Sequence, residues 1–124
     1  MTPTRLISAD VFRDGGSYEA RFEMPDARIF TLWLQRSAMP DKLGRHHRWL
    51  FAFAGTARPE DCVPVATGSD EERDLLLMLD QFLRSASAES SSPHDLDRLS
   101  EMLEYIRRRE PCFPSDLRSA GFLR

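Results

Sequence analysis

The pattern of hydrophobic and polar positions changes character at Gly68. Before it, apolar residues mostly alternate with polar ones, as in a β-strand; after it they recur every three or four residues, as in an α-helix. The sequence therefore predicts an α+β fold. We expect a four- to five-stranded antiparallel sheet in residues 4–67 and a helical hairpin in residues 69–110 packed on one face of it, plus a short terminal helix.

Four or five segments of the first half have strand-like patterns. Residues 18–24 alternate strictly, which predicts a strand with one wet face, whereas residues 28–36 are apolar on both faces, which is typical of a central strand. Residues 48–55 predict a fourth strand. Residues 62–66 predict a short fifth strand at the sheet edge, because Pro64 has no N–H to donate to a ladder.

The second half predicts two long helices. Ser69 and Glu72 have the spacing of a capping box, in which a serine oxygen and a glutamate satisfy the free amides of a helix start. The serine-rich stretch 85–93 predicts an exposed linker before the second helix. The two apolar stripes are Leu75, Leu76, Leu79, Phe82 and Leu83 on the first helix, and Leu96, Leu99, Leu103 and Ile106 on the second; Leu77 and Met78 widen the first stripe.

Composition narrows the classes of function. The 124 residues are enough for one domain with its own core. The formal net charge of -3 argues against nucleic acid and against an anionic membrane as partners. No apolar run approaches the roughly 18 residues of a membrane span, and the N-terminus lacks the apolar region of a signal peptide. With two cysteines and no secretion signal, we expect free thiols and a cytoplasmic location.

The residues that carry chemistry do not form a catalytic or metal-binding motif. His46 and His47 are adjacent, so in strand geometry their side chains point to opposite faces and do not share one metal ion. A metal site would need His94, Cys62 and Cys112 to converge on one of them from distant segments. We find no nucleophile elbow and no glycine-rich phosphate loop before a helix. We therefore expect no enzyme activity, no cofactor and no metal.

A first candidate contact surface combines cations with aromatic rings. It consists of Trp33, Arg45, His46, Arg48 and Trp49. Arginine and tryptophan are enriched at the energetic centres of protein interfaces. The alternative interpretation is that residues 45–48 are only the solvated start of a strand.

A second candidate contact surface is acidic. Six carboxylates lie close together in the sequence, and they could steer a basic partner. They are Glu60, Asp61, Asp70, Glu71, Glu72 and Asp74. The alternative interpretation is structural, because acidic residues are common in the first turn of a helix, where the helix dipole favours them.

These observations favour a protein-binding module over an enzyme. We expect a small bacterial inhibitor of the immunity type, or an adaptor, that occludes one protein partner such as a toxin or effector encoded nearby; its oligomeric state stays open. A first alternative is a small enzyme or ligand-binding protein with an apolar pocket between sheet and helices, lined by Trp33, Trp49, Tyr18 or Tyr105. A second is a single-stranded nucleic-acid-binding domain that stacks bases on Trp33, Trp49 and Phe51.

Overall fold

The computed structural model describes residues 4–11, 17–37, 39–54, 64–108 and 110–111. Within these ranges the chain forms strands first and helices afterwards, in the order that the hydrophobic pattern predicts. The elements are β1 (Arg5–Val11), β2 (Ser17–Glu23), β3 (Ile29–Arg36), β4 (Arg48–Ala54), α1 (Asp70–Arg84), α2 (Ala86–Glu89) and α3 (Pro93–Arg107).

The strands form one antiparallel sheet in the order β1-β2-β3-β4. In the register, Ala20 of β2 lies opposite Leu32 of β3, which lies opposite Ala52 of β4. The predicted α+β class and the antiparallel sheet are confirmed, with four strands in the described residues. The segment 64–66 runs beside β4 without forming a strand: the Val65 N–H donates to the Leu50 carbonyl at 2.6 Å. The predicted residues 62 and 63 lie outside the described residues.

The main core lies between one face of the sheet and the helices. Phe22 of β2 meets Phe82 of α1 edge to face, with ring centroids 5.3 Å apart. Tyr18 of β2 meets Tyr105 of α3 at 5.2 Å. The helical residues buried there are Leu75, Leu79, Phe82, Ala88, Leu99, Met102, Leu103 and Ile106. Apart from Ala88 and Met102 they belong to the predicted stripes, which confirms that the helices pack on one face of the sheet.

Two details of the helical region differ from the sequence prediction. Within the stretch expected to be an exposed linker lies the short helix α2, and its Ala88 is buried in the core. The apolar contact of Ala88 outweighs the weak helix propensity of its serine neighbours. Leu77, expected to widen the buried stripe of α1, is instead 54% exposed. The predicted terminal helix after residue 113 lies outside the described residues.

The edge strands β1 and β4 both form hydrogen bonds on their outer sides. On β1, a bulge at Ile7 interrupts the register, and the Ala9 N–H donates to the Asp95 carboxylate of α3 at 3.3 Å. On β4, the Leu50 carbonyl accepts from Val65. Bulges and covered edges hinder the addition of a strand from another chain. Strand addition is therefore not the mode of recognition that this sheet favours.

The face of the sheet opposite to the main core also contains buried aromatic side chains. Trp49 and Phe51 of β4 are both 0% exposed, and Trp33 of β3 is half-buried. The Phe51 ring lies 6.1 Å from that of Trp33 and 6.4 Å from that of Trp49. These rings stiffen the β3–β4 pair, and the loop that joins the two strands projects from this pair.

Candidate partner-binding site

A buried ion pair joins the start of β4 to the start of α1. Arg48 is 1% exposed and Glu72 is 2% exposed. The Arg48 guanidinium donates through Nη2 to the Glu72 carboxylate, and the same nitrogen lies 3.3 Å from the hydroxyl of Thr67. The sequence interpretation placed Arg48 at a solvated strand start or in a contact surface. It gave Glu72 as a capping-box residue and as part of an acidic contact surface, with the helix dipole as the structural alternative. The burial of Arg48 shows that the solvated interpretation was wrong for this residue. Glu72 lies in the first turn of the helix as expected, and it also forms an ion pair with Arg48.

The start of α1 shows why Glu72 is buried. The Ser69 hydroxyl caps the helix by accepting from the Glu72 N–H at 3.2 Å, as the capping-box spacing predicts. The Glu72 carboxylate, however, accepts from the Gly68 N–H at 3.1 Å and from Arg48. A buried guanidinium needs a nearby negative charge, and this requirement determines where the glutamate points. Nothing in the local sequence distinguishes such an arginine from one on a wet strand end.

The chain after α3 is bonded to the same end of the sheet. The Glu110 carboxylate accepts two hydrogen bonds from Arg36, from Nη2 at 2.8 Å and from Nε at 3.0 Å. The Glu110 carbonyl accepts from Thr67 at 2.8 Å, and the Pro111 carbonyl accepts from the Arg48 N–H at 3.0 Å. The end of β3 and the start of β4 are thus fixed where the loop between them begins.

The β3–β4 loop, residues 37–47, is closed at its base by three hydrogen bonds. The Ser37 N–H donates to the His47 carbonyl at 2.7 Å, and the His47 N–H donates to the Ser37 hydroxyl at 2.9 Å. Nδ1 of His46 lies 3.1 Å from the Ser37 carbonyl. The two histidines noticed in the sequence therefore help to hold the base of a loop.

The tip of the β3–β4 loop is a tight turn organised by Asp41. The Asp41 N–H donates to the Arg45 carbonyl at 2.8 Å, and the Gly44 N–H donates to the Asp41 carbonyl at 2.9 Å. Gly44 has a φ of +76°, a left-handed conformation that glycine adopts without strain. The loop tip is therefore a three-residue hairpin turn with glycine at its left-handed position.

The Asp41 carboxylate is the centre of the loop's polar network. Oδ1 accepts from the N–H groups of Leu43 and Arg45, both at 2.9 Å. Oδ2 lies 2.9 Å from Nε2 of His47 and 3.3 Å from Nε of Arg45. The Arg45 N–H foremost, followed by the His47 ring, holds the pKa of Asp41 well below its usual range. The carboxylate stays ionised at neutral pH, so the turn has a permanent acceptor.

The β3–β4 loop exposes two large apolar side chains, Leu43 within the turn and Met39 just before it. Met39 is 76% exposed and Leu43 is 75% exposed. Lys42 and Arg45, also exposed, lie beside them in the sequence. A single exposed apolar residue needs no explanation. Two exposed apolar residues at a hydrogen-bonded turn, together with two cations, give the loop a composition that is typical of a contact element.

The predicted contact residues have very different environments. The exposed ones are Arg45, Asp70, Glu71 and Asp74, the half-buried ones are Trp33 and His46, and the buried ones are Arg48, Trp49 and Glu72. The predicted residues Glu60 and Asp61 lie outside the described residues. Docking through Trp49 required an exposed indole, and this condition is not met. The predicted contact residues do not include Met39, Lys42 or Leu43. Single apolar residues and one lysine in a polar loop form no pattern that predicts a contact.

The Arg48–Glu72 pair joins one described residue of each predicted contact surface. Arg48 follows the β3–β4 loop directly, and Glu72 lies in the first turn of α1 beside the exposed Glu71 and Asp74. The sequence offered a cationic and an acidic surface as separate candidates. In the fold, this ion pair brings the end of the β3–β4 loop next to the start of α1.

The residues named for the two alternative functions lie in environments that do not suit those functions as predicted. Tyr18 and Tyr105 touch each other in the main core, whereas Trp33 and Trp49 lie on the opposite face of the sheet. The four residues therefore do not line one pocket between sheet and helices. As platforms for nucleic-acid bases, Trp49 and Phe51 present no exposed ring face, because both are fully buried.

The described surface also contains a groove and a hollow. A groove of about 440 Å³ runs between α1 and α3, with Leu76 and Leu77 among its lining residues and an ion pair between Arg107 and Asp80 beside them. A hollow of about 390 Å³ lies at the β2–β3 turn and includes Met24 and Phe30. The other lining residues of the groove are mostly polar, among them Ser69, Asp70 and Arg73.

Further features bear on metals and membranes. In the part of the chain that the structure describes, no group of three or more histidine, cysteine, aspartate or glutamate side chains is placed to hold a metal ion. None of the described helices is both long and apolar enough to cross a membrane. No known protein family, curated protein or solved structure matches this chain.

Proposed function

We propose that this protein is a non-enzymatic binding module that inserts its β3–β4 loop into one protein partner and occludes the partner's surface. The observation that supports this proposal most strongly is the exposure of Leu43 on a turn fixed by Asp41, with the exposed Met39 just before that turn. A loop that is ordered before binding loses less conformational entropy on association than a flexible one. Apolar anchors at the centre of an interface supply most of its energy.

The finer form of the proposal is a bacterial inhibitor of the immunity type, or an adaptor, whose partner is a toxin or effector encoded nearby. The small acidic chain and the lack of a catalytic motif support it. Inhibition would need no chemistry from this chain, because a loop seated in a partner's cleft excludes the natural ligand. The exposed acidic residues at the start of α1 would then affect the association rate through their charge.

The test is co-expression of the tagged protein with the products of adjacent genes, followed by binding measurements on the purified complex. Replacing Leu43 by serine should raise Kd by about 30-fold, the effect of removing one anchor worth about 2 kcal/mol. The matched control is Leu77→Ser, because Leu77 is also an exposed leucine but lies on α1. The control should bind as the wild type does. A partner that binds the Leu43→Ser variant with unchanged affinity would contradict the proposal.

A further inference from the structure

The exposed charges of the described β3–β4 loop are all positive. Its carboxylate, Asp41, is turned inward and accepts from the N–H groups of Leu43 and Arg45. Lys42 and Arg45 remain exposed, and the Arg45 side chain is 54% exposed even though it contacts Asp41. The Asp41 carboxylate is therefore partly shielded by N–H groups of its own turn, whereas the positive side chains of Lys42 and Arg45 extend into solvent near Met39 and Leu43.

We infer that the partner surface is an apolar cleft rimmed by aspartate and glutamate carboxylates. This inference rests on the proposed function and adds the partner's chemistry to it. Met39 and Leu43 would enter the cleft, while Lys42 and Arg45 meet carboxylates at its rim. Long cationic side chains suit this role because their stems cover apolar surface while their charges reach its edge. Carboxylates at the rim would also speed the encounter by electrostatic attraction.

A polyanion fits this surface less well than a protein with local acidic groups. The whole chain carries a net charge of -3, and acidic residues such as Asp70 and Glu71 are exposed at the end of the molecule from which the loop projects. A nucleic acid or an anionic bilayer extends its negative charge over a long distance, so these residues would be repelled. A localised acidic rim attracts the loop and leaves α1 in solvent.

The chain offers a direct chemical test because Lys42 is its only lysine. A water-soluble carbodiimide joins an amine to a carboxylate in contact with it, forming an amide with loss of water. The probe is a random peptide library displayed on phage, selected on the wild-type protein and resynthesised for binding and coupling. Mass spectrometry then locates the amide and separates Lys42 from the N-terminal amine. Lys42→Arg is the control, because it keeps the positive charge but removes the amine that couples.

We expect selected peptides rich in both acidic and apolar residues, amide formation at Lys42, and no such amide in the Lys42→Arg variant. Lys42→Glu should weaken binding about tenfold, since it replaces an attraction by a repulsion. Leu43→Ser should weaken binding as well. Peptides that need Leu43 but carry no acidic residues and form no amide would overturn the inference and leave the proposed function standing. Peptides that bind the Leu43→Ser variant unchanged would overturn both.

Two further ligands complete the test. A single-stranded oligonucleotide and vesicles containing phosphatidylserine are measured under the same conditions, with wild type and Leu43→Ser. Weak binding that does not depend on Leu43 is the expected result for both. Tighter, Leu43-dependent binding of either ligand than of every selected peptide would overturn the assignment of an acidic protein cleft.

Discussion

Two carboxylates, Asp41 in the β3–β4 loop and Glu72 at the start of α1, organise neighbouring parts of this protein in opposite ways. Both accept backbone N–H groups and both contact a cationic or imidazole side chain. Glu72 is 2% exposed, whereas Asp41 keeps a quarter of its side-chain surface in solvent. The difference shows how burial determines whether a charged group mainly supports the fold or mainly shapes a surface.

The buried pair is costly to leave incomplete. Removing one partner of a buried ion pair leaves a charge without compensation in a medium of low polarity, which destabilises proteins by about 3–5 kcal/mol. The exposed Asp41 network is screened by water, so its loss changes the local order of the turn more than the global stability. We therefore expect substitutions at the two sites to separate folding from recognition.

The largest expected effect is that of Glu72→Ala. It leaves the Arg48 guanidinium buried without its counter-charge, so the free energy of unfolding should fall by about 3–5 kcal/mol, measured by urea denaturation. The neighbouring Glu71→Ala is the matched control, because Glu71 is exposed. The control should change stability by less than about 0.5 kcal/mol. Equal effects of the two substitutions would show that the Arg48–Glu72 pair is not a buried structural element.

The double variant Arg48→Met with Glu72→Leu sharpens the same point. Among the described residues, Nε and Nη1 of Arg48 have no hydrogen-bond partner, so the guanidinium is incompletely satisfied. Replacing a buried ion pair by apolar residues of similar size is often neutral or stabilising. We expect the double variant to recover most of the stability lost in Glu72→Ala. A double variant as unstable as Glu72→Ala would mean that the pair stabilises the fold by more than the neutralisation of one charge by the other.

A smaller effect is expected from Gly44→Ala in the loop turn. A methyl group at Gly44 would meet no atom within 4 Å, so the cost comes from the backbone φ of +76° and not from a clash. The strain amounts to about 1 kcal/mol. Gly44→Asn should cost less, because asparagine tolerates this conformation better. Thermal unfolding measures the stability of the two variants. If both were as stable as the wild type, the left-handed conformation of Gly44 in this turn would be contradicted.

The smallest expected effect is the pH dependence that Asp41 confers. Folding lowers the pKa of Asp41, so the folded state binds the proton less tightly than the unfolded state does. The resulting stabilisation is complete above the ordinary aspartate value of 3.8 and is lost as the pH falls from there through the lowered pKa. An NMR titration of the carboxyl group should place its midpoint below the ordinary value. Asp41→Asn should remove this part of the acid dependence of stability, and a midpoint at the ordinary value would contradict it.

The sequence predicted the class of fold because periodicity is a property of whole segments. The alternation in residues 18–24 and the apolar stripe of α3 can be recognised even when the predicted ends of these elements are slightly wrong. The pairing of Arg48 with Glu72 depends on two residues 24 positions apart meeting in three dimensions, and no local pattern encodes that. The order of the β3–β4 loop depends similarly on one carboxylate, Asp41, and on a glycine with positive φ.

The loop that we propose as the contact element overlaps the predicted contact surface only in part. Arg45 and His46 pointed to the region between β3 and β4, and both belong to the loop that we propose as the contact element. The aromatic anchor expected there, Trp49, is buried. Exposure depends on which face of a strand meets the rest of the chain, and a pattern with two apolar faces does not distinguish the faces. The exposure of Met39 and Leu43 is evident only from the three-dimensional structure.

The proposed mode of binding requires that the tip of the β3–β4 loop is ordered in the free protein, and amide hydrogen exchange measures this order. The N–H groups of Leu43, Gly44 and Arg45 all donate to Asp41. We predict that these amides exchange measurably more slowly than in an unstructured peptide of the same sequence, and that Asp41→Ala, which removes the side-chain acceptor, abolishes the protection of Leu43 and Arg45 while the amides of β3 stay protected. Exchange of the three amides at the unstructured rate in the wild type would contradict the account.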